Sequence, residues 1–418
     1  MPPLEKQNKI NFDKIIYLFI AASPGGFKIF ILLILGILPS NIQGVIANDL
    51  SIVGFLTMIT AIGAGTQLLH VIPKKISSSD SEARTVLKSA LIKLLPYIFF
   101  ICITFYLIDS QILKSSSSDF ETAILLFSSS IYWIFRHYYL AREATNKLIL
   151  MEAWTWLSTT ILFITLYNLG NLTAENALIS ISISYTISFS TSLTKVMLHK
   201  ENNKISIIRD SASIGLSNLI SGGIINLVPS ICYNLGNAAL AGTMGLMINI
   251  SSVTLTLIRA QLYKKSPQIS SAISEKNPNI IAICKNTQLT ITKLILASSL
   301  ALQPINVISS YYTQHNTSLI STFGYSILIT ALIGVPQLSA INSIVANFIG
   351  KSRGMLIANT AHATLSISIT YIFHIVFNNA SITFIAFLIS SSLLFVGRNI
   401  VINRMTFDEL NKTINLAR

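Results

Sequence analysis

Basic side chains lie within several long apolar runs of this 418-residue chain. The deep parts of the same runs contain no Asp or Glu, and Glu152 lies early in its run. A cation in apolar surroundings needs an anion or a wet cavity, and a guanidinium can hold a phosphate through two parallel hydrogen bonds. The imbalance therefore predicts a site for an anionic ligand, with the following candidate binding residues: Lys28, Lys93, Arg136 and Lys293.

Lys28 is the most informative of these cations, and two explanations of it stay open. In an unbroken helix from Ile15, Lys28 would lie about 20 Å from the start, a depth at which it must face water or a phosphate. If the helix is broken at Ser23-Pro24-Gly25-Gly26, it begins at Phe27, and the Lys28 ammonium reaches the membrane surface by snorkelling.

The other cations also have structural alternatives. Lys93 and Lys293 lie near the starts of the third and ninth apolar runs, where a lysine can snorkel to the surface. Arg136 can equally anchor the end of its helix, and Arg398 is better explained as such an anchor.

The elements that position these residues follow from composition. Hydrophobic residues make up 52% of the chain and charged residues 11%, with a mean hydropathy of +0.64, whereas soluble proteins carry about 25% charged residues. Twelve membrane spans would use about 240 positions. The chain is therefore predicted to be a membrane protein, and a large extramembrane enzyme is excluded.

The apolar runs show no alternation of period two, so they predict helices and an all-α polytopic fold. Charged residues, Pro or Asn bound twelve predicted spans: 15–47, 50–72, 88–108, 121–141, 149–169, 175–198, 211–234, 237–259, 286–310, 318–342, 354–377 and 380–402.

The net charge of +13 reflects how the chain is oriented in the membrane. Twenty-five of the 29 Lys and Arg residues fall at the termini, in even-numbered loops or at the span ends that flank them, and the odd-numbered loops contain Lys114 alone beside five acidic residues. Because cytoplasmic loops collect Lys and Arg, both termini are predicted to be cytoplasmic. The acidic residues of the predicted outer loops are Asp49, Asp109, Asp119, Glu121 and Glu175. Nucleic acid is thus not expected as a partner.

Two six-helix halves, 1–200 and 201–418, share one plan, which is typical of parallel repeats in transporters. Asn48–Gly54 leads into the second predicted helix and Gly236–Gly242 into the eighth, and each follows a Pro-Ser pair, Pro39-Ser40 or Pro229-Ser230. Lys74-Lys75 and Lys264-Lys265 follow these helices. Two similar bundles around a cleft are expected to alternate access by rocking.

This pattern resembles the Wzx-type polysaccharide flippases of the multidrug/oligosaccharidyl-lipid/polysaccharide (MOP) exporter superfamily, chiefly over Ile15–Val71 and Ser211–Ser271. The resemblance implies a V-shaped pair of lobes in the bacterial inner membrane. It implies transfer of an undecaprenyl-pyrophosphate-linked oligosaccharide, as for O-antigen, to the periplasmic leaflet, alongside a polysaccharide polymerase and a chain-length regulator. It also implies that the first, second, seventh and eighth helices line the cavity.

That cavity makes three amides candidates for sugar contact: Gln67, Asn226 and Asn249. The alternative for each is a hydrogen bond to a neighbouring helix. No catalytic residue, metal site or cofactor is predicted, since nucleotide, metal and nucleophile motifs are missing from the sequence. Coupling to a proton or sodium gradient is an expectation from the resemblance.

Two other classes of function would require different sequence features. An ion-coupled antiporter of small soluble drugs or metabolites requires an intramembrane carboxylate, for which Asp49 at the outer end is a weak candidate. A membrane glycosyltransferase or polymerase would be expected to carry a large outer loop, but the longest here, Ile108–Glu121, has about 14 residues. An enzyme is therefore not predicted.

Overall fold

The computed structural model describes residues 22–75, 80–113, 118–199, 211–275, 277, 279–313 and 318–415. These residues form helices and turns, with no strand among them, which confirms the predicted all-α class. Nine helical stretches in this part of the chain are long and apolar enough to cross a membrane, and Ala22–Ile37 is a shorter apolar helix. The fold is that of a polytopic membrane protein.

The described residues of the first half form seven α-helices. Helix α1 covers 22–34 and ends in the 3-10 turn Leu35–Ile37; α2 (Ser40–Thr57) continues through the π-helical turn Met58–Ile62 into α3 (Gly63–Lys75). Four long helices follow: α4 (Asp80–Ile108), α5 (Asp119–Ala141), α6 (Thr145–Asn168) and α7 (Ala174–Met197).

The described residues of the second half form nine α-helices. Helices α8 (Ser211–Asn226) and α9 (Val228–Asn234) are followed by α10 (Ala238–Ser251), α11 (Val253–Ser274) and α12 (Ile280–Thr313). Then come α13 (Leu319–Gly334), the 3-10 turn Val335–Ser339, α14 (Ala340–Phe348), α15 (Ser352–Phe377) and α16 (Ala380–Asn415). Helices thus cover most of the described residues in the predicted spans.

The predicted division between the first two spans is wrong. Helix α1 is continuous through Ser23–Gly26, and the chain breaks at Leu38–Pro39 instead. The stretch Asn48–Gly54, predicted as a turn, lies inside α2. Proline explains the break because it lacks an N–H group and disfavours helix at the preceding residue. The matching turn before α10 does exist, where Gly236 has a φ of 84°.

The chain forms two compact units. The N-unit comprises Leu38–Asn234 with Ala238–Gly242; the C-unit comprises the described residues up to Ile37, Leu235–Asn237 and Thr243 onward. Helix α1 thus packs within the C-unit, and α8 and α9 pack within the N-unit. The predicted join at residue 200 falls in 200–210, outside the described residues, so the domain boundary stays a prediction.

Local sequence explains several helix ends. Thr173 caps α7 by accepting a hydrogen bond from the Asn176 amide at 3.3 Å, and Ser318 caps α13 in the same way at 3.2 Å. Helix α15 ends at Asn378, whose φ of 43° is the left-handed conformation that Asn tolerates at a helix end. The short turn that follows makes α15 and α16 an antiparallel pair.

Candidate intramembrane charged sites

Arg136 and Glu152 form a buried ion pair in the N-unit. The Arg136 Nε donates to Glu152 Oε1 at 2.9 Å, and Tyr132 on the same helix donates its hydroxyl to Glu152 Oε2 at 2.7 Å. Glu152 is 1% exposed and Arg136 6%. The guanidinium also lies 5.1 Å from the centre of the Trp133 ring. Glu152 lies seven residues, roughly 10 Å, into α6.

This arrangement alters the interpretation of Arg136. A guanidinium paired with a carboxylate holds its counter-ion within the protein, so a phosphate clamp is not what the geometry favours. The sequence analysis noted Glu152 only for its position. The sequence nevertheless contains a signal for this ion pair. Arg136 and Glu152 lie at similar distances from the turn at Arg142–Ala144, where the chain reverses direction between α5 and α6.

Asp49 is a fully buried carboxylate of the N-unit, not a residue of an outer loop as predicted. It lies nine residues, roughly 14 Å, along α2 from Ser40. Its Oδ1 accepts a hydrogen bond from Asn48 Nδ2 at 3.0 Å, and both residues have 0% exposure. Hydropathy suggested a loop here because a polar pair interrupts the apolar run.

Serine hydroxyls join α2 to the helices beside Asp49. Ser51 donates to the backbone carbonyl of Asn226, and Ser230 donates to the Asn48 carbonyl at 3.4 Å and to Ser51 Oγ at 3.2 Å. These bonds satisfy buried polar groups where α8 gives way to α9. The Asp49 carboxylate therefore has a polar environment within a membrane-spanning helix.

Lys28 lies in the C-unit on α1, between the buried side chains of Phe27 and Ile31. It is partly buried, and none of the ion pairs or hydrogen bonds between described residues involves its ammonium. The residue lies nine positions, roughly 14 Å, before the end of its apolar helix at Ile37. Because α1 is helical before Phe27, the alternative of a helix beginning there is excluded.

Lys93 and Lys293 are both exposed. Large apolar residues on the same helices are exposed beside them, including Ile92 near Lys93, and Leu289 and Leu296 on the two sides of Lys293. Such faces contact lipid in a membrane, and a lysine there extends its ammonium toward the surface. The surroundings favour snorkelling, and a role in substrate binding stays a prediction.

The three candidate amides lie in different places. Gln67 is buried on α3, Asn226 is partly buried at the end of α8, and both belong to the N-unit. Asn249 belongs to the C-unit and donates from Nδ2 to the Gly245 carbonyl of its own helix at 2.7 Å. This local bond occupies one donor of Asn249, and sugar contact by the three stays a prediction.

Arg398 is buried, in contrast to the predicted surface anchor. It is 9% exposed and donates from Nε to Asn359 Oδ1 at 2.5 Å and from Nη1 to Asn399 Oδ1 at 3.2 Å. Asn399 in turn donates to the Val335 carbonyl at 2.6 Å. Sequence symmetry could have indicated the contact, because Asn359 lies 19 residues before Asn378 and Arg398 lies 19 after Asn379.

A cleft of about 360 Å³ opens in the N-unit where α2 and α7 begin and α9 ends. Its polar lining consists of an amide, a hydroxyl, a carboxylate and a phenol, which are groups that bind sugar hydroxyls. They belong to Asn41, Thr173, Glu175 and Tyr233. Sequence analysis did not identify this cleft, since its walls come from segments up to 197 residues apart, from Asn41 to Ala238.

Known structures share this fold. An inward-facing multidrug-resistance MATE family transporter of the MOP superfamily has a TM-score of 0.66 at 15% identity, over 96% of this chain and 99% of that one. The eukaryotic MATE transporter AtDTX14 gives 0.63 at 14% identity, over 99% of both chains. A mutant of the Vibrio cholerae MATE transporter VcmN gives 0.54 at 14% identity, over 93% of this chain and 96% of that one.

No protein-family model and no curated protein sequence matches the chain. At identities of 14–15% the structural likeness defines the fold, a MATE-like fold of the MOP type. The resemblance noted in the sequence is thus confirmed at the level of this fold.

Proposed function

We propose that this protein is a flippase for an anionic lipid-linked oligosaccharide, of the undecaprenyl-pyrophosphate type, which it moves from the cytoplasmic to the periplasmic leaflet by alternating access. The observation that carries the proposal is Lys28, a cation within a membrane helix without an acidic partner among the described residues. A cation so placed is stabilised by an anion or by water in a cavity.

The rest of the charge distribution supports an anionic substrate. In the described spans, Glu152 is neutralised by Arg136, whereas Lys28 and Arg398 have no carboxylate partner among the described residues. The polar cleft at Asn41 and Tyr233 adds groups suited to sugar hydroxyls. The MATE-like fold supports transport across the membrane rather than catalysis.

Substitution of Lys28 tests this function in a strain whose surface polysaccharide depends on the protein. Lys28→Met removes the charge but keeps the length, and it should lower polymer production at least about tenfold, the effect of losing one charge-assisted bond. Lys28→Arg should retain most activity. Lys195→Met is the matched control, because Lys195 is an exposed lysine near the end of α7 and is not a candidate binding residue. Normal polymer in cells producing Lys28→Met at wild-type levels would contradict the assignment.

A second function, an ion-coupled antiporter of small drugs or metabolites, is favoured by Asp49. The alternative requires an intramembrane carboxylate for the coupling ion, and Asp49 is buried within α2. Deletion should then sensitise cells to drugs and leave surface polysaccharide normal. Asp49→Asn should fail to restore resistance, whereas Glu143→Gln, at an exposed carboxylate in the turn between α5 and α6, should restore it. Drug resistance that the deletion leaves unchanged would argue against this function.

A further inference from the structure

The guanidinium of Arg398 lies in the C-unit and has no negative partner among the described residues. It takes no part in ion pairs such as Arg136–Glu152 and Lys351–Glu409. Its two hydrogen-bond acceptors, Asn359 Oδ1 and Asn399 Oδ1, are neutral amides. Burying a cation beside neutral groups leaves its charge uncompensated.

Two hydrogen-bond donors at this charge have no acceptor among the described residues. Asn359 is 1% exposed, and its Nδ2 has no hydrogen-bond partner among the described residues. The Arg398 Nη2 likewise makes no hydrogen bond to a described residue, because the two bonds above use Nε and Nη1. Buried donors without acceptors are unfavourable. The missing group must therefore accept hydrogen bonds and carry negative charge.

The nearby titratable group does not supply that charge. His362, one turn after Asn359, donates from Nε2 to the Ser391 carbonyl at 3.1 Å, and its ring stacks on Phe395 at 3.7 Å between centroids. The Arg398 guanidinium lies 5.7 Å from the same Phe395 ring. An imidazole is neutral or positive, so the cluster has no internal anion.

The surroundings indicate how an anion reaches Arg398. Apolar residues on the outer faces of α15 and α16 are exposed, among them Ile357, Val396, Ile400 and Val401, and such faces contact lipid. Asn359 lies seven residues, roughly 10 Å, from the first residue of α15. An anion that reaches this depth comes from the end of α15, because phospholipid phosphates lie at the membrane surface.

We propose that Arg398 and Asn359 form a phosphate-binding site between α15 and α16 in the C-unit. A planar guanidinium with an adjacent amide donor matches the geometry of a phosphate oxyanion. The phosphate belongs to a phospholipid headgroup or to free phosphate in solution, and the two sources can be separated experimentally. The site is independent of the proposed transport function, because lipid binding is measured without substrate.

The test uses the full-length protein, purified in a detergent without phosphate, and measures its melting temperature with added phosphatidylglycerol or inorganic phosphate. Phosphatidylglycerol near 100 times its Kd should raise the wild-type Tm by about 4 °C. A rise with phosphatidylglycerol alone identifies a lipid headgroup, and a rise with both probes identifies free phosphate as a sufficient ligand. No rise with either probe would overturn the proposal.

Variants distinguish a binding site from a structural contact. Arg398→Gln should remove the lipid-induced rise, but it can also destabilise the fold. Asn359→Asp avoids this problem, because it places a carboxylate beside Arg398 Nε. Its Tm without lipid should equal or exceed that of wild type, and the lipid-induced rise should disappear. The control is Arg353→Gln at the exposed start of α15, which should keep the rise. A full rise in Asn359→Asp would overturn the site.

Discussion

Arg136 and Glu152 neutralise each other inside the N-unit, with Arg136 Nε 2.9 Å from Glu152 Oε1. The pair joins α5 to α6, and Tyr132 completes the hydrogen bonding of the carboxylate at 2.7 Å. A residue that sequence analysis assigned to substrate binding thus has a partner within the protein. Lys28 and Arg398, by contrast, are buried or half-buried span cations without an acidic partner in the described part of the chain.

Glu152→Gln should strongly destabilise the protein, because it leaves the Arg136 charge buried without a counter-charge. Breaking a buried pair on one side costs about 3–5 kcal/mol, whereas replacing both partners with apolar groups is often neutral. The double substitution Arg136→Met with Glu152→Leu should therefore recover most of the loss. Thermal unfolding in detergent measures both effects. If Glu152→Gln were as stable as Glu175→Gln, a control at an exposed carboxylate, the ion pair would have no structural role.

Hydropathy and charge were sufficient to predict the helical class and the positions of the long helices. Helices α4 to α7, α15 and α16 form apolar runs bounded by charged or capping residues, so their approximate places follow from the sequence. The start of α2 could not be obtained in this way. Asn48 and Asp49 interrupt an apolar run like a loop, and only tertiary packing shows that both are buried.

The candidate site was predictable in part. The position of Lys28 within an apolar helix followed from the sequence, but the partners of Arg136 and Arg398 did not, because hydropathy treats each helix separately. Both partners lie across short turns, so pairing residues at similar distances from the turn would have indicated Glu152 and Asn359. The cleft at Asn41 and Tyr233 had no comparable signal.

Gly65 permits α3 to approach α5 closely. A Cβ added to Gly65 would lie 2.5 Å from Cγ of His137, whose ring is held by a 2.7 Å hydrogen bond between Nδ1 and the Trp133 carbonyl. Gly65→Ala should therefore lower the free energy of unfolding by about 1–3 kcal/mol. Gly324→Ala is the matched control, because no atom lies within 4 Å of its added Cβ. Equal melting temperatures for the two variants would show that α3 and α5 do not pack this closely.

Asp119, at the start of α5 and before the span at 121–141, should make stability depend on pH. Burial raises the pKa of Asp119 to about 6, and a hydrogen bond with Asp109 and the charges of Asp109 and Glu121 contribute to the rise in the same direction. A raised pKa means that the folded protein binds this proton more tightly, so the stabilisation is complete below about pH 4 and is lost as pH rises through 6.

Melting temperatures measured from pH 4 to pH 8 test this effect. Asp119→Asn mimics the protonated carboxyl and should flatten the decline between pH 4 and 6, whereas Glu175→Gln should leave the decline as in wild type. A decline that persists unchanged in Asp119→Asn would assign the pH dependence to another group.

The central claim, translocation of an anionic lipid-linked oligosaccharide, is tested most directly in proteoliposomes. Undecaprenyl-pyrophosphate-linked oligosaccharide is incorporated into both leaflets, and the fraction open to a membrane-impermeant, sugar-modifying reagent is followed over time. Wild-type protein should let the inner-leaflet pool react, with Lys28→Arg close to wild type and Lys28→Met at least about tenfold slower. An inner-leaflet pool that stays protected with wild-type protein, as in protein-free vesicles, would contradict the claim.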